Sequence, residues 1–84
     1  MSLADAAYCL DELSVGRMPD QDRLIAGARA LHTRRLMGTA DHNLIDAAAG
    51  LEALASGGKF YLSEHGQTRA AILAALVRKA AEHE

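Results

Sequence analysis

His32 lies in the stretch Arg29-Ala30-Leu31-His32-Thr33-Arg34-Arg35, with one arginine three residues before it and another three residues after. Imidazole is the only unperturbed side chain that titrates near neutral pH, and it serves as nucleophile, base or metal ligand. On a helix, Arg29 and Arg35 stand one turn behind and one turn ahead of it on the same side. A planar fork of donors stabilises phosphate oxygens while a neutral ring nitrogen supplies the attacking lone pair, so this set suits attack on a phosphoryl group. The same residues also fit an ordinary rim histidine beside a solvated helix end.

The remaining candidates are poorer in partners. His42 and Asp46 are four residues apart and could share a metal, but two ligands do not make a site. No metal and no cofactor is therefore expected. His65 stands beside Glu64 near Gly66, and His83 lies at the solvated end of the chain. Cys9 has no Lys, Arg or His one turn away to lower its pKa, which makes it a small buried hydrophobe.

Four helices must position these groups, at about 3–14, 20–37, 40–56 and 63–82. Alanine, leucine and charged residues dominate, with only two valines and three isoleucines, so helix is favoured over strand throughout. The first helix carries the stripe Leu3, Ala6, Ala7, Leu10, Leu13, with Ser2 as its cap and Gly16 as its stop. The second opens with Pro19 in its first turn and Asp20 and Asp22 at the positive dipole end, and closes with Arg34 and Arg35. Thr39 caps the third, Gly57-Gly58 ends it, and Leu44, Ala47, Ala48, Leu51, Leu54 and Ala55 share one face. The fourth follows Ser63 or Thr68, has an irregular first turn at Gly66, and buries Ala70, Leu73, Leu76, Val77 and Ala80. Phe60 and Tyr61 plug the end of the core from the preceding loop. Short connections make the expected architecture an all-α, antiparallel, up-down-up-down four-helix bundle, with Leu10, Leu24, Leu31, Leu44, Leu51, Leu54, Leu73 and Leu76 buried.

Composition narrows the function classes. Eighty-four residues form a single domain, and 18 of its 42 hydrophobic residues are alanine, so the core is thin and closely packed. One cysteine excludes an internal disulfide and fits a reducing, cytoplasmic setting. No apolar run approaches the roughly 20 residues of a membrane span. A net charge of -2 gives no electrostatic basis for binding nucleic acid.

The stretch 29–35, together with Leu44-Ile45-Asp46-Ala47-Ala48-Ala49-Gly50-Leu51-Glu52-Ala53-Leu54, resembles the core of histidine phosphotransfer domains, including those of chemotaxis-type kinases. In that family the phosphorylated histidine stands in an Arg-Ala-x-His-[Thr/Ser]-Leu-Lys-Gly pattern, and the next helix ends in hydrophobic-Glu-x-Leu. The resemblance implies a four-helix bundle with His32 as phosphoacceptor and Arg35 in place of the usual lysine. It also implies Glu52 as the glutamate that orients the imidazole, with Arg29 and Arg35 on the phosphate oxygens. Leu36 departs from the family's glycine and would crowd an incoming partner. The implied partner is a response-regulator receiver domain or a histidine kinase, and any Mg²⁺ would belong to that partner. The alternative is a helical adaptor or inhibitor in which His32 is incidental, and the broad apolar face of the last helix leaves a homodimer open.

Overall fold

The structure, a computed structural model, describes residues 3–36, 42–59 and 61–82, with the side chains of residues 35 and 36 excepted. It is all-helical over the described residues: α1 (Leu3–Ser14), α2 (Gln21–Leu36), α3 (His42–Ala55) and α4 (Glu64–Ala81). Each lies within two residues of the span its periodicity predicts. Ser2, Thr39 and Phe60, assigned above to caps and to the core plug, fall outside the described residues.

The helix ends follow from local hydrogen bonding. Asp20 caps α2, since its Oδ1 accepts from the Arg23 N–H at 2.9 Å. Pro19 thus precedes the cap instead of occupying the first turn. At the end of α1, Gly16 adopts φ 80°, and the N–H groups of Gly16 and Arg17 return to the carbonyls of Leu13 and Glu12. Gly57 repeats the motif after α3 at φ 89°, with Gly57 and Gly58 donating to Leu54 and Ala53. In both places left-handed backbone, which glycine adopts without steric cost, lets the chain reverse while satisfying carbonyls the helix leaves open.

The core runs the length of the four helices. Leu3, Leu10, Leu13, Leu31, Leu51, Leu73 and Val77 are its largest fully buried side chains, with alanines between them. Cys9 is buried too, and its thiol donates to the Arg23 carbonyl at 3.2 Å. α1 packs chiefly on α4, and α2 on α3. Gly27 lies where three helices converge: a Cβ there would sit 3.1 Å from the Ala6 Cα and 3.1 Å from Leu51 Cδ1. Small residues at such points let the helix axes approach closely.

Two expectations for α4 are corrected. Leu76 is exposed, and the buried stripe is Ala70, Leu73, Ala74 and Val77. At 100° per residue these four cluster on one side, and Leu76 falls 60° beyond Leu73 on the rim. The first turn is also regular: Ser63 is the cap, its Oγ accepting from the Gly66 N–H at 3.0 Å. Gly66 is there because Tyr61 crosses against it; a Cβ would lie 2.7 Å from the Tyr61 Cα. Tyr61 itself has φ 64° and is buried, with its ring against Gly50 and its hydroxyl donating to the Asp46 carbonyl at 3.2 Å.

That contact sets an expected result. Alanine normally favours a helix over glycine by up to about 1 kcal/mol. Gly66→Ala should nonetheless destabilise the fold, by about 1 to 3 kcal/mol, because its methyl meets backbone that cannot rotate away. Urea unfolding gives the sign directly.

A second expectation concerns alkaline pH. Burial pushes the Cys9 thiol up to about 11, reinforced by the Asp5 carboxylate, opposed by Arg23 and assisted slightly by Asp20. Burial likewise pushes the Tyr61 phenol up to about 12, opposed by Arg69 and assisted by Asp46. Both groups hold their protons in the folded chain at pH values where the unfolded chain has released them. Stability is therefore complete below pH 9 and falls as pH rises through about 9 to 12, by roughly 2 kcal/mol for each group. Thermal unfolding followed from pH 8 to 11 should show the decline, and Cys9→Ala should remove its earlier part.

Candidate functional site

His32, Arg29 and Glu52 converge on the seam between α2 and α3. His32 stands in the last half of α2, and its Nε2 lies 2.6 Å from Oε1 of Glu52 on α3. Side-chain exposures of 37% for His32 and 55% for Glu52 leave the pair reachable from solvent. Leu31 on one side and Leu51 on the other are buried, which fixes both helix faces and brings the neighbouring polar positions to the same rim. The helical period thus explains why a histidine following a core leucine on α2 meets a glutamate following a core leucine on α3.

A groove of about 510 Å³ opens along this seam, lined by Gln21, Ile25, Ala28 and Arg29 from α2, by Glu52 and Ala55 from α3, and by Ser56 with His32. Arg29 is exposed on the groove wall one turn before His32, as its spacing predicts. Its carbonyl accepts from Thr33 Oγ1 at 2.9 Å, so the threonine after the histidine closes back on its own helix instead of facing a ligand. Arg35 and Leu36 belong to α2, and their side chains lie outside the described residues.

Gln21 was missed by reasoning on charge and chemistry. Its Nε2 donates to the Ala55 carbonyl at 2.8 Å, closing a carbonyl that the end of α3 leaves open. The signal was present in the spacing: residues 21, 25, 28, 29 and 32 occupy one helix face, and that face is the groove wall.

The arrangement has clear chemical content. A carboxylate accepting from one ring nitrogen of a histidine fixes the plane of the imidazole, leaving the other nitrogen to carry the lone pair in its neutral form. A guanidinium on the adjacent turn supplies donors for an anionic group held near that ring.

The other candidates have different partners. Asp46 accepts from Arg69 Nη2 at 3.1 Å, tying α3 to α4. His42 and His65 are exposed. Among the described residues no group of three or more His, Cys, Asp or Glu is placed to hold a metal ion, and no helix is long and apolar enough to cross a membrane. The chain matches no protein-family model, no curated protein and no solved structure.

Proposed function

We propose that this chain is a histidine phosphotransfer domain of a two-component phosphorelay, with His32 as phosphoacceptor. The observation that carries the reading is the 2.6 Å contact of His32 Nε2 with Glu52 Oε1, at a solvent-reachable groove that Arg29 also lines. A receiver-domain aspartyl phosphate, or the nucleotide of a histidine kinase, presents its phosphorus in line to the imidazole. Arg29 and Arg35 stabilise the equatorial oxygens, and the partner contributes any Mg²⁺. Leu36, four residues past His32, sets how closely that partner docks. Such a carrier acts in the cytoplasm and has little activity by itself.

The reading includes an antiparallel, up-down-up-down arrangement. Three contacts support it: the start of α2 meets the end of α3 through Gln21 and Ala55, the turn after α1 lies beside the start of α4, where a Cβ on Gly16 would be 3.6 Å from Gln67 Nε2, and Ala6 and Cys9 along α1 meet Gly27 and Arg23 of α2 in reverse order. The test is transfer of labelled phosphate from a phosphorylated receiver domain. The expected product is a single phosphohistidine at residue 32, acid-labile and base-stable.

One observation favours a second reading. Ile72 and Leu76 are exposed one turn apart on α4, away from His32. An adaptor or inhibitor would use such a face, with no phosphoryl transfer, and so would a homodimer. Binding that survives His32→Gln and is lost in Ile72→Asp would identify it.

A further inference from the structure

We propose that the outer face of α4 pairs with the same face of a second copy of this chain, the two helices running antiparallel about a two-fold axis near Ala71 and Ile72. The inference is independent of the role given to His32.

Glu64, Thr68, Ala71, Ile72, Ala75 and Lys79 fall within an arc of about 100° on α4. All six are exposed, and Leu76 is exposed at the edge of the arc. The buried stripe Ala70, Leu73, Ala74 and Val77 occupies the other side of the helix, so this arc is the face that the bundle leaves uncovered. Its middle is apolar and its two ends are charged.

The charges identify what covers it. Arg69 pairs with Asp46 on α3, and Arg78 pairs with Asp11 on α1. Glu64 and Lys79 have no ion-pair partner among the described residues. They are opposite in sign and stand at opposite ends of the apolar stretch, 15 positions apart. Set parallel against its own copy, the face would bring Glu64 to Glu64 and Lys79 to Lys79, and like charges repel. Set antiparallel, each Glu64 meets Lys79 of the second copy, and the two helix dipoles oppose as well. The dyad then falls midway between those two positions, at Ala71 and Ile72, which is the self-complementary contact a two-fold dimer requires. Thr68 faces Ala75 across it, and side chains this short let the helix axes approach closely. The seam of α2 and α3 takes no part, so the groove at His32 stays open in both copies.

The contact is small. A helix of 18 residues is roughly 27 Å long, and one such face buries less than the about 1,200 Å² of a stable interface. The expected dissociation constant is therefore on the order of 100 μM.

Sedimentation equilibrium of the full chain, from about 10 μM to about 1 mM, tests the pairing. The wild-type chain should pass from monomer to dimer over this range, and Ile72→Asp should remain monomeric throughout. Glu64→Lys and Lys79→Glu should each weaken association by about ten-fold, because each turns two attractive pairs into two repulsive ones. The two single variants mixed in equal amounts, and the double variant alone, should recover the wild-type affinity, since both arrangements restore opposite charges at both ends. Circular dichroism should be unchanged in every variant, all the positions being exposed. A wild-type chain that is monomeric at every concentration overturns the inference and does not touch the phosphoacceptor reading. A dimer that survives Ile72→Asp overturns it by placing the contact elsewhere. Single variants that associate like the wild type, or that lose association without recovery in the mixture, overturn the antiparallel pairing of Glu64 with Lys79.

Discussion

The His32→Gln variant should keep its helical circular dichroism and should accept no label from a phosphorylated receiver domain. Glutamine has nearly the bulk of histidine and can still hydrogen-bond across to Glu52, so the seam between α2 and α3 stays closed. It has no basic nitrogen lone pair, and amide nitrogen does not attack phosphorus. The expected loss is therefore complete instead of partial. Arg29→Ala should separate chemistry from docking: removing a guanidinium proposed to meet charge developing on the phosphoryl oxygens should slow transfer by roughly 10- to 100-fold while weakening the complex less. Arg35→Ala should behave alike. Leu36→Gly should speed transfer if that side chain crowds the partner, at a cost of up to about 1 kcal/mol in helix stability. Single-turnover transfer alongside affinity by titration calorimetry reads both quantities. Equal losses in rate and affinity for Arg29→Ala would place it in the docking surface alone.

The second large effect is on stability. Leu51→Ala should cost about 2 to 5 kcal/mol, since Leu51 is wholly buried and its Cδ1 packs where α1 and α2 converge at Gly27. A chain of 84 residues has on the order of 4 to 13 kcal/mol in total, so this one deletion brings the fold near its limit. Alanines crowd the neighbouring positions and have no side-chain freedom with which to fill the gap. Leu76→Ala, at an exposed position, should change stability by less than about 1 kcal/mol. Urea midpoints with unchanged slopes test the contrast, and equal losses at both positions would contradict the placement of the core.

The helices were legible because their signals are local. Gly16 and Gly57 mark ends, and a run such as Leu3, Ala6, Ala7, Leu10, Leu13 leaves a single face to bury, as it is buried here. The burial of Leu76 was misread because a stripe on a helix surrounded by alanines has soft edges. Ala74 and Leu76 compete for the rim, and the neighbouring helices decide between them. Gly66 was misread for a similar reason: a glycine in a first turn suggests fraying, and only the crossing of Tyr61 against it reveals a packing requirement. At the site, His32 and Arg29 were legible from type and spacing, and Glu52 entered only through the resemblance to histidine phosphotransfer domains. Gln21 was missed although the spacing 21, 25, 28, 29, 32 places it on the same face, because its partner is the carbonyl of Ala55, and residue identity does not show a backbone acceptor. Which nitrogen of His32 faces Glu52 is likewise a matter of tertiary distance.

Tyr61 sits in left-handed backbone between Gly50 and Gly66, its ring over one and its main chain against the other. Three positions spread over 17 residues of sequence thereby share one steric constraint. Drift at any one is conditional on the other two: a side chain added at residue 50 becomes tolerable once residue 61 has shrunk, whereas one added at residue 66 stays intolerable until the main chain itself is rerouted. Homologous chains should accordingly vary residues 50 and 61 in reciprocal size, large against small, and hold residue 66 at glycine through both exchanges.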